Sequence, residues 1–219
     1  MDPVATPQAL GGVTTSEAVR ADLERYCELA LQSGASAAVC IPAGDVSIDE
    51  RVRLKCVIPR CIRAGETPNC PPHAPDLDLV RRAVARFSWA ILFKCNVEPI
   101  EAYAPGRGAT KAEQRRVLSF HQKSGQVVHV LERQAYKDGY HLALGLGGGS
   151  CKDYLCQGQF CQFLDSGRCR FPQRARPAME AMGIDVVALT SKVGWPIYAL
   201  LDDLAAIPCA VSVGIVFIC

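Results

Sequence analysis

Between residues 16 and 32 apolar side chains return at helical intervals, at Ala18, Leu23, Tyr26, Leu29 and Ala30, with charged residues between them. Thr15 or Ser16 is placed to cap the start and Gly34 to end it, so the pattern predicts a helix. The next segment, ASAAVCIPA at 35–43, drops that period and reads as a strand, and VSIDERVRL at 46–54 reads as partly extended. Asp76 is followed by Leu77, Val80, Ala83 and Val84 on one face, which predicts a capped helix running to about Phe87. SWAILFKC at 88–95 is almost wholly apolar, as a central strand covered on both faces would be. A Pro/Gly-rich connection occupies 99–108. A long helical pattern then runs from Thr110 to about Asp138, bent near Gly125, with Val117, Leu118, His121, Val128, Leu131 and Ala135 as its stripe. HLALGL at 141–146 reads as a strand, 177–182 as a helix with Pro177 in its first turn, and 185–193 as another helix. From Ala205 to Cys219 the chain is apolar and rich in β-formers, so it reads as a buried strand; it is too short to span a membrane.

Helices alternating with strands predict an α/β fold: a mixed four- or five-stranded sheet flanked by helices, with two cysteine-rich metal-binding loops at strand ends. Residues 1–15 lack the basic start and apolar run of an export signal and read as a flexible leader, leaving 16–219 as a single domain. A hydrophobic fraction of 49% in 219 residues is enough for a full core, so metal is not needed to rescue a minimal fold. The formal charge of +2 gives no electrostatic case for nucleic acid or an anionic membrane. No stretch is long and apolar enough to span a bilayer, and the expected location is the cytoplasm. There, twelve cysteines are not a disulfide framework; they are metal-bound or buried and reduced.

Seven of those cysteines fall in two tight groups. Cys56, Cys61 and Cys70 form the first, spaced C-x4-C-x8-C and followed by Pro71-Pro72. Cys151, Cys156, Cys161 and Cys169 form the second, spaced C-x4-C-x4-C-x7-C. Thiolates this close, in loops broken by glycine and proline, suit a soft metal or an iron–sulfur cluster. The second group has the ligands for one complete [4Fe-4S] cluster, and Gly147 to Gly149, Gly158 and Gly167 let the backbone turn around it. The first group is one ligand short. Cys95, Cys40 or His73 can complete it, the two groups can exchange ligands, or one iron can stay open to substrate. Zinc is the alternative metal, although the C-x2-C knuckle that zinc sites favour is absent.

The remaining chemistry is sparse. Cys27, Cys40, Cys95, Cys209 and Cys219 lie in or beside predicted helices and strands and read as small buried hydrophobes. His73 follows Cys70-Pro71-Pro72 and is the one histidine expected near a metal; His121, His129 and His141 read as helix or strand residues with local partners. Arg170, Arg174 and Arg176, beside the second group, balance thiolate charge or bind an anion. Arg81-Arg82 and Arg115-Arg116 read as solvated helix faces. GLGGGS at 145–150 looks like a phosphate loop, but no lysine follows it in the required place and cysteines rather than a helical pattern come next.

Three features resemble a known family. They are the cysteine pair ahead of Cys70-Pro71-Pro72, the Gly-Gly-x-x-Cys approach to the second group, and CRFPQRARPAMEAMGIDV at 169–186. Together, over roughly residues 35–200, they resemble an uncharacterised prokaryotic family of predicted metal-binding proteins, a domain of unknown function. The resemblance implies metal or cluster binding in a mostly anaerobic setting and supplies no reaction. The reading that results is a cytosolic iron–sulfur protein with one or two clusters, serving electron transfer with a redox partner or as an enzyme subunit. An enzyme with an open iron at the first group, and a zinc-binding interaction module, are the alternatives; the site fixes no catalytic residue.

Overall fold

The computed structural model describes residues 15–98, 100, 110, 121–157, 159–199 and 207–219. The expected leader, the 99–108 connection apart from Ile100, the Arg115-Arg116 pair and Gly158 lie outside the described residues.

Four strands make one sheet: β1 (Ala37–Pro42), β2 (Trp89–Val97), β3 (Leu144–Leu146) and β4 (Ala210–Phe217). Their order is β1-β2-β4-β3, and every neighbouring pair is antiparallel. The expected α/β class with a four-stranded sheet is therefore observed. The near-continuous apolar run of β2 follows from its place. Ala90, Ile91, Leu92 and Phe93 are all fully buried, because β1 and β4 flank the strand and separate cores cover its two faces.

On one face lie α1 (Ser16–Gln32) and α4 (His121–Lys137). Thr15 Oγ1 accepts the Ala18 N–H at 3.2 Å, which caps α1 as its sequence predicts. Leu23, Tyr26 and Ala30 pack from α1 against Val127, Val128, Leu131 and Ala135 of α4 and against Ile91 and Phe93 of the sheet. A polar clasp closes the far edge: Tyr26 and Arg25 both donate to Asp138 at 2.8 Å, and Tyr140 donates to Asp22 at 2.8 Å. On the other face α3 (Leu77–Val84) and α7 (Val186–Lys192) bring Val80, Val84 and Leu189 onto Leu92, Ile215 and Phe217.

Several elements differ from the pattern-based expectation. Residues 46–54 are extended only at first, through Val46, the Ile48–Ile184 bridge and Asp49; Asp49 then accepts the Arg51 N–H at 2.7 Å and starts the short helix α2 (Glu50–Leu54). A side-chain cap outweighs the alternating pattern there. The 177–182 helix is a single 3-10 turn, Glu180–Met182, ended by Gly183 in the left-handed region. The second cysteine group contains two short helices, α5 (Cys151–Tyr154) and α6 (Gln162–Ser166). Within the described residues the long helix runs unbroken through Gly125. Its missing side chain instead admits the Tyr154 ring: a Cβ there would stand 2.7 Å from Tyr154 Cε2. That close approach seats the second cysteine group on α4.

Candidate metal centre

The first cysteine group occupies the irregular chain between α2 and α3; the second follows β3 through Gly147-Gly148-Gly149. Far apart in sequence, the two meet in space. Asn69 donates its amide N–H to Cys151 Sγ at 3.5 Å, while Cys70 Sγ lies 3.7 Å from Ser150 Oγ. Each neighbour of a cysteine in one group therefore touches a cysteine of the other.

A charged clip reinforces the join. Glu66 accepts from Arg63 at 2.9 Å and from Lys152 at 3.1 Å, and the Arg63 guanidinium lies 2.5 Å from Asp153. Asp153 is enclosed as well as paired, its side chain 6% exposed. Burial therefore raises the Asp153 carboxyl although Arg63 opposes it. The Arg63 hydrogen bond, helped by Lys152, holds Glu66 below its ordinary value even though burial opposes this.

The sulfurs themselves receive donors. The Arg63 N–H reaches Cys61 Sγ at 3.5 Å and the Phe171 N–H reaches Cys169 Sγ at 3.3 Å. Burial raises the Cys156 thiol, and Arg170 opposes the rise by hydrogen bonding to it. Burial pushes Cys151 up to about 11, against the Asn69 hydrogen bond and with Cys70, Cys156 and Cys161 as its charged neighbours. Burial likewise raises Cys56, with Cys61, Glu180 and Cys70 around it. Metal binding removes the proton whatever the free thiol prefers, because the ligand is the thiolate.

Cys56, Cys61 and Cys70 line a cavity of about 510 Å³. Its other walls include His121, Gly149, Glu180 and Ser212, together with the apolar Val187 and Ile197. Glu180 is open to solvent on one side, yet its enclosure raises the carboxyl. His121 was expected to have only local partners. It instead reaches across to β4, with Nδ1 2.7 Å from Ser212 Oγ, and burial lowers its pKa to about 4. The triple glycine makes room for it: a Cβ on Gly148 would stand 2.6 Å from His121 Nδ1, and one on Gly149 would stand 2.7 Å from Nε2. No local period signals this placement, and the run of glycines is the one sequence clue to a bulky neighbour.

The other candidates for the missing ligand sit elsewhere. His73 is exposed and does not line the cavity. Cys95 is buried among Ile91, Phe93 and Leu131, and Cys40 packs against the same core. Among the described residues no three Cys, His, Asp or Glu side chains converge as one metal ion requires. Cys56, Cys61 and Cys70 stand on the wall of the cavity.

The signature stretch 169–186 is explained by its contacts. Arg176 forks onto Glu132 of α4 at 2.7–2.9 Å, and Met179 is fully buried beside Gly147, whose carbonyl accepts its N–H at 2.9 Å. Glu180 lines the cavity, Ile184 bridges to Ile48, and Asp185 caps α7 by accepting the Ala188 N–H at 3.0 Å. The stretch thus fastens the cysteine loops to the sheet.

Fold and site together define a cysteine-rich α/β protein in which Cys56, Cys61 and Cys70 line a cavity and the second cysteine group lies against the first. The chain belongs to the family described as "Predicted metal-binding protein (DUF2284)", which it matches over residues 39–216. No curated protein and no solved structure matches it. Among the described residues no helix is long and apolar enough to cross a membrane.

Proposed function

We propose that this chain is a cytoplasmic iron–sulfur protein. It carries one or two [4Fe-4S] clusters on Cys56, Cys61, Cys70, Cys151, Cys156, Cys161 and Cys169, and it serves electron transfer, as a carrier or as a redox subunit. The observation that carries this reading is the set of donors aimed at sulfur, at Cys61, Cys151 and Cys169. Cluster thiolates keep their charge and tune their potential through such bonds. Three thiols on the wall of one cavity, Cys56, Cys61 and Cys70, also leave room for a compact inorganic body. When bound, the cluster supplies one-electron redox chemistry; the chain supplies the thiolates, the N–H donors and Arg170, which offsets their charge. Cys61 is exposed, and the apolar Ile58 and Ile62 stand exposed beside it, a short path for a redox partner.

Iron, zinc and acid-labile sulfide per chain, measured after purification without oxygen, test the proposal. About eight irons and eight sulfides are expected for two cubanes, and about half that for one. Stoichiometric zinc without sulfide would replace the electron carrier with a structural zinc module.

A further inference from the structure

We propose that the two cysteine loops form a docking surface for an acidic redox protein. This rests on the iron–sulfur reading above and supplies the chemistry of its partner.

The net charge of +2 conceals a separation of charge along the chain. Residues 50–75, from the start of α2 to the Asp76 cap of α3, hold five basic and two acidic side chains. Residues 151–177, from the start of α5 to the Ala178 bridge, hold the same numbers. The two loops therefore carry +6 and the rest of the chain −4. They lie together, joined by the Asn69–Cys151 and Cys70–Ser150 contacts.

The charges also stand beside the sulfurs. Lys55 precedes Cys56, Arg60 precedes Cys61, and Arg168 and Arg170 flank Cys169, so each is one peptide unit from a thiol-bearing residue. All four are exposed, and among the described residues none pairs with a carboxylate. Arg60 donates to the Ala64 carbonyl at 3.0 Å and Arg170 to the Phe160 carbonyl at 2.7 Å, contacts that hold a guanidinium without neutralising it. The acids of the same loops are engaged, Glu50 with Arg81, Glu66 with Arg63 and Lys152, and Asp153 with Arg63; only Asp165 has no basic partner among the described residues.

Cluster charge does not consume this surplus. Seven thiolates on two oxidised cubane cores of about 2+ each sum to about −3, so the loaded loops keep about half of their positive charge. Leu54, Val57, Ile58 and Ile62 lie among the bases and are 49–71% exposed. A basic surface with an aliphatic centre fits an acidic protein that presents an apolar exit for its electron; a phosphate backbone would leave the aliphatic part uncovered. The transfer is a single electron: the partner's cofactor is oxidised by one and a cluster is reduced by one.

The test is stopped-flow reduction of the full chain, loaded anaerobically with iron and sulfide. Two one-electron donors are compared, a reduced flavodoxin, which is an acidic protein, and the methyl viologen radical cation. The flavodoxin rate is expected to fall as salt is raised, while the viologen rate holds or rises. Lys55→Glu with Arg168→Glu should slow flavodoxin about tenfold at low salt without slowing viologen. The same charge change at Arg20→Glu with Lys137→Glu, exposed positions on α1 and α4, should alter either rate by less than about twofold. The salt comparison uses the unaltered chain, so it does not depend on a variant folding. A flavodoxin rate that salt does not lower, an equal loss in both double variants, or clusters that viologen reduces and flavodoxin does not, each overturn the docking surface and leave the cluster reading intact. Loaded clusters that neither donor reduces, or a chain that takes up no iron and sulfide, overturn both.

Discussion

Cys95 and Cys151 are both buried, at 1% and 6% exposure, and burial pushes both thiols up to about 11, yet they keep different company. Around Cys95 are Ile91, Phe93 and Leu131, and the charge that acts on it is Lys123. Around Cys151 are a donor amide from Asn69 and the thiols of Cys70, Cys156 and Cys161. The sheet treats a cysteine as a small hydrophobe; the loops surround it with donors and with other sulfurs. Burial alone does not separate the two uses. What separates them is whether polar hydrogens and further thiols are within reach.

The same contrast holds for the regions as wholes. The α1–α4 side of the sheet is held largely by apolar contact, with the Tyr26–Asp138 clasp at its edge and the Ser124–Ser212 bond joining α4 to β4. The cysteine side has the apolar core beneath α3 and α7, and beyond it the loops are joined by the Arg63–Glu66–Lys152–Asp153 clip. Ionic contacts of this kind are tolerant of rearrangement and tie loops that a packed core cannot reach.

The largest expected effect comes from exchanging the two kinds of cysteine. Cys151→Ser is expected to lose a whole cluster's iron, whereas Cys95→Ala keeps full metal content and costs about 1 kcal/mol of stability. Metal analysis beside a thermal melt reads both, and equal iron loss in the two variants would dissolve the distinction. Next is Arg63→Ala, which leaves Asp153 buried without its cation. It should cost about 3 kcal/mol in denaturant unfolding and lower the iron content. A cost below about 0.5 kcal/mol, the range of an exposed pair, would show that the clip does not join the loops.

Gly125→Ala should be smaller. The added methyl displaces Tyr154 at a cost of about 1–3 kcal/mol, against up to about 1 kcal/mol gained in helix propensity. Lower occupancy of the second cluster with little change in melting on the α1 side would localise the effect; an increase in stability would mean that Tyr154 moves freely. The smallest effect belongs to the clasp. Burial alone would raise Asp138, but hydrogen bonds from Arg25, Tyr26 and Gln134 outweigh it and hold the carboxyl low. Its contribution is therefore complete above the unfolded carboxylate value of about 3.9 and is lost as pH falls through the lower folded value. Tyr26→Phe should cost about 1.5 kcal/mol at neutral pH, with the gap to the unaltered chain closing below about pH 4. A gap that is constant down to pH 2 would exclude this ionisation as its source.

Periodicity alone determined the long elements. The α1 stripe, the capped start of α3, the apolar run of β2 and the β-formers of β4 each carry their own local reason to form, so they were legible in order along the chain. So were the seven clustered cysteines, because their spacing is itself a local property of the chain. What local pattern does not contain is any contact between distant segments. The antiparallel order β1-β2-β4-β3, the meeting of Asn69 with Cys151, and the passage of His121 from α4 to Ser212 on β4 are all of that kind. His121 illustrates the limit most clearly. On its own helix it is one more residue of an amphipathic stripe. Only the tertiary structure sets it on the wall of the cavity that three thiols also line, because the energy that places it there comes from a sheet strand and a glycine turn elsewhere in the chain.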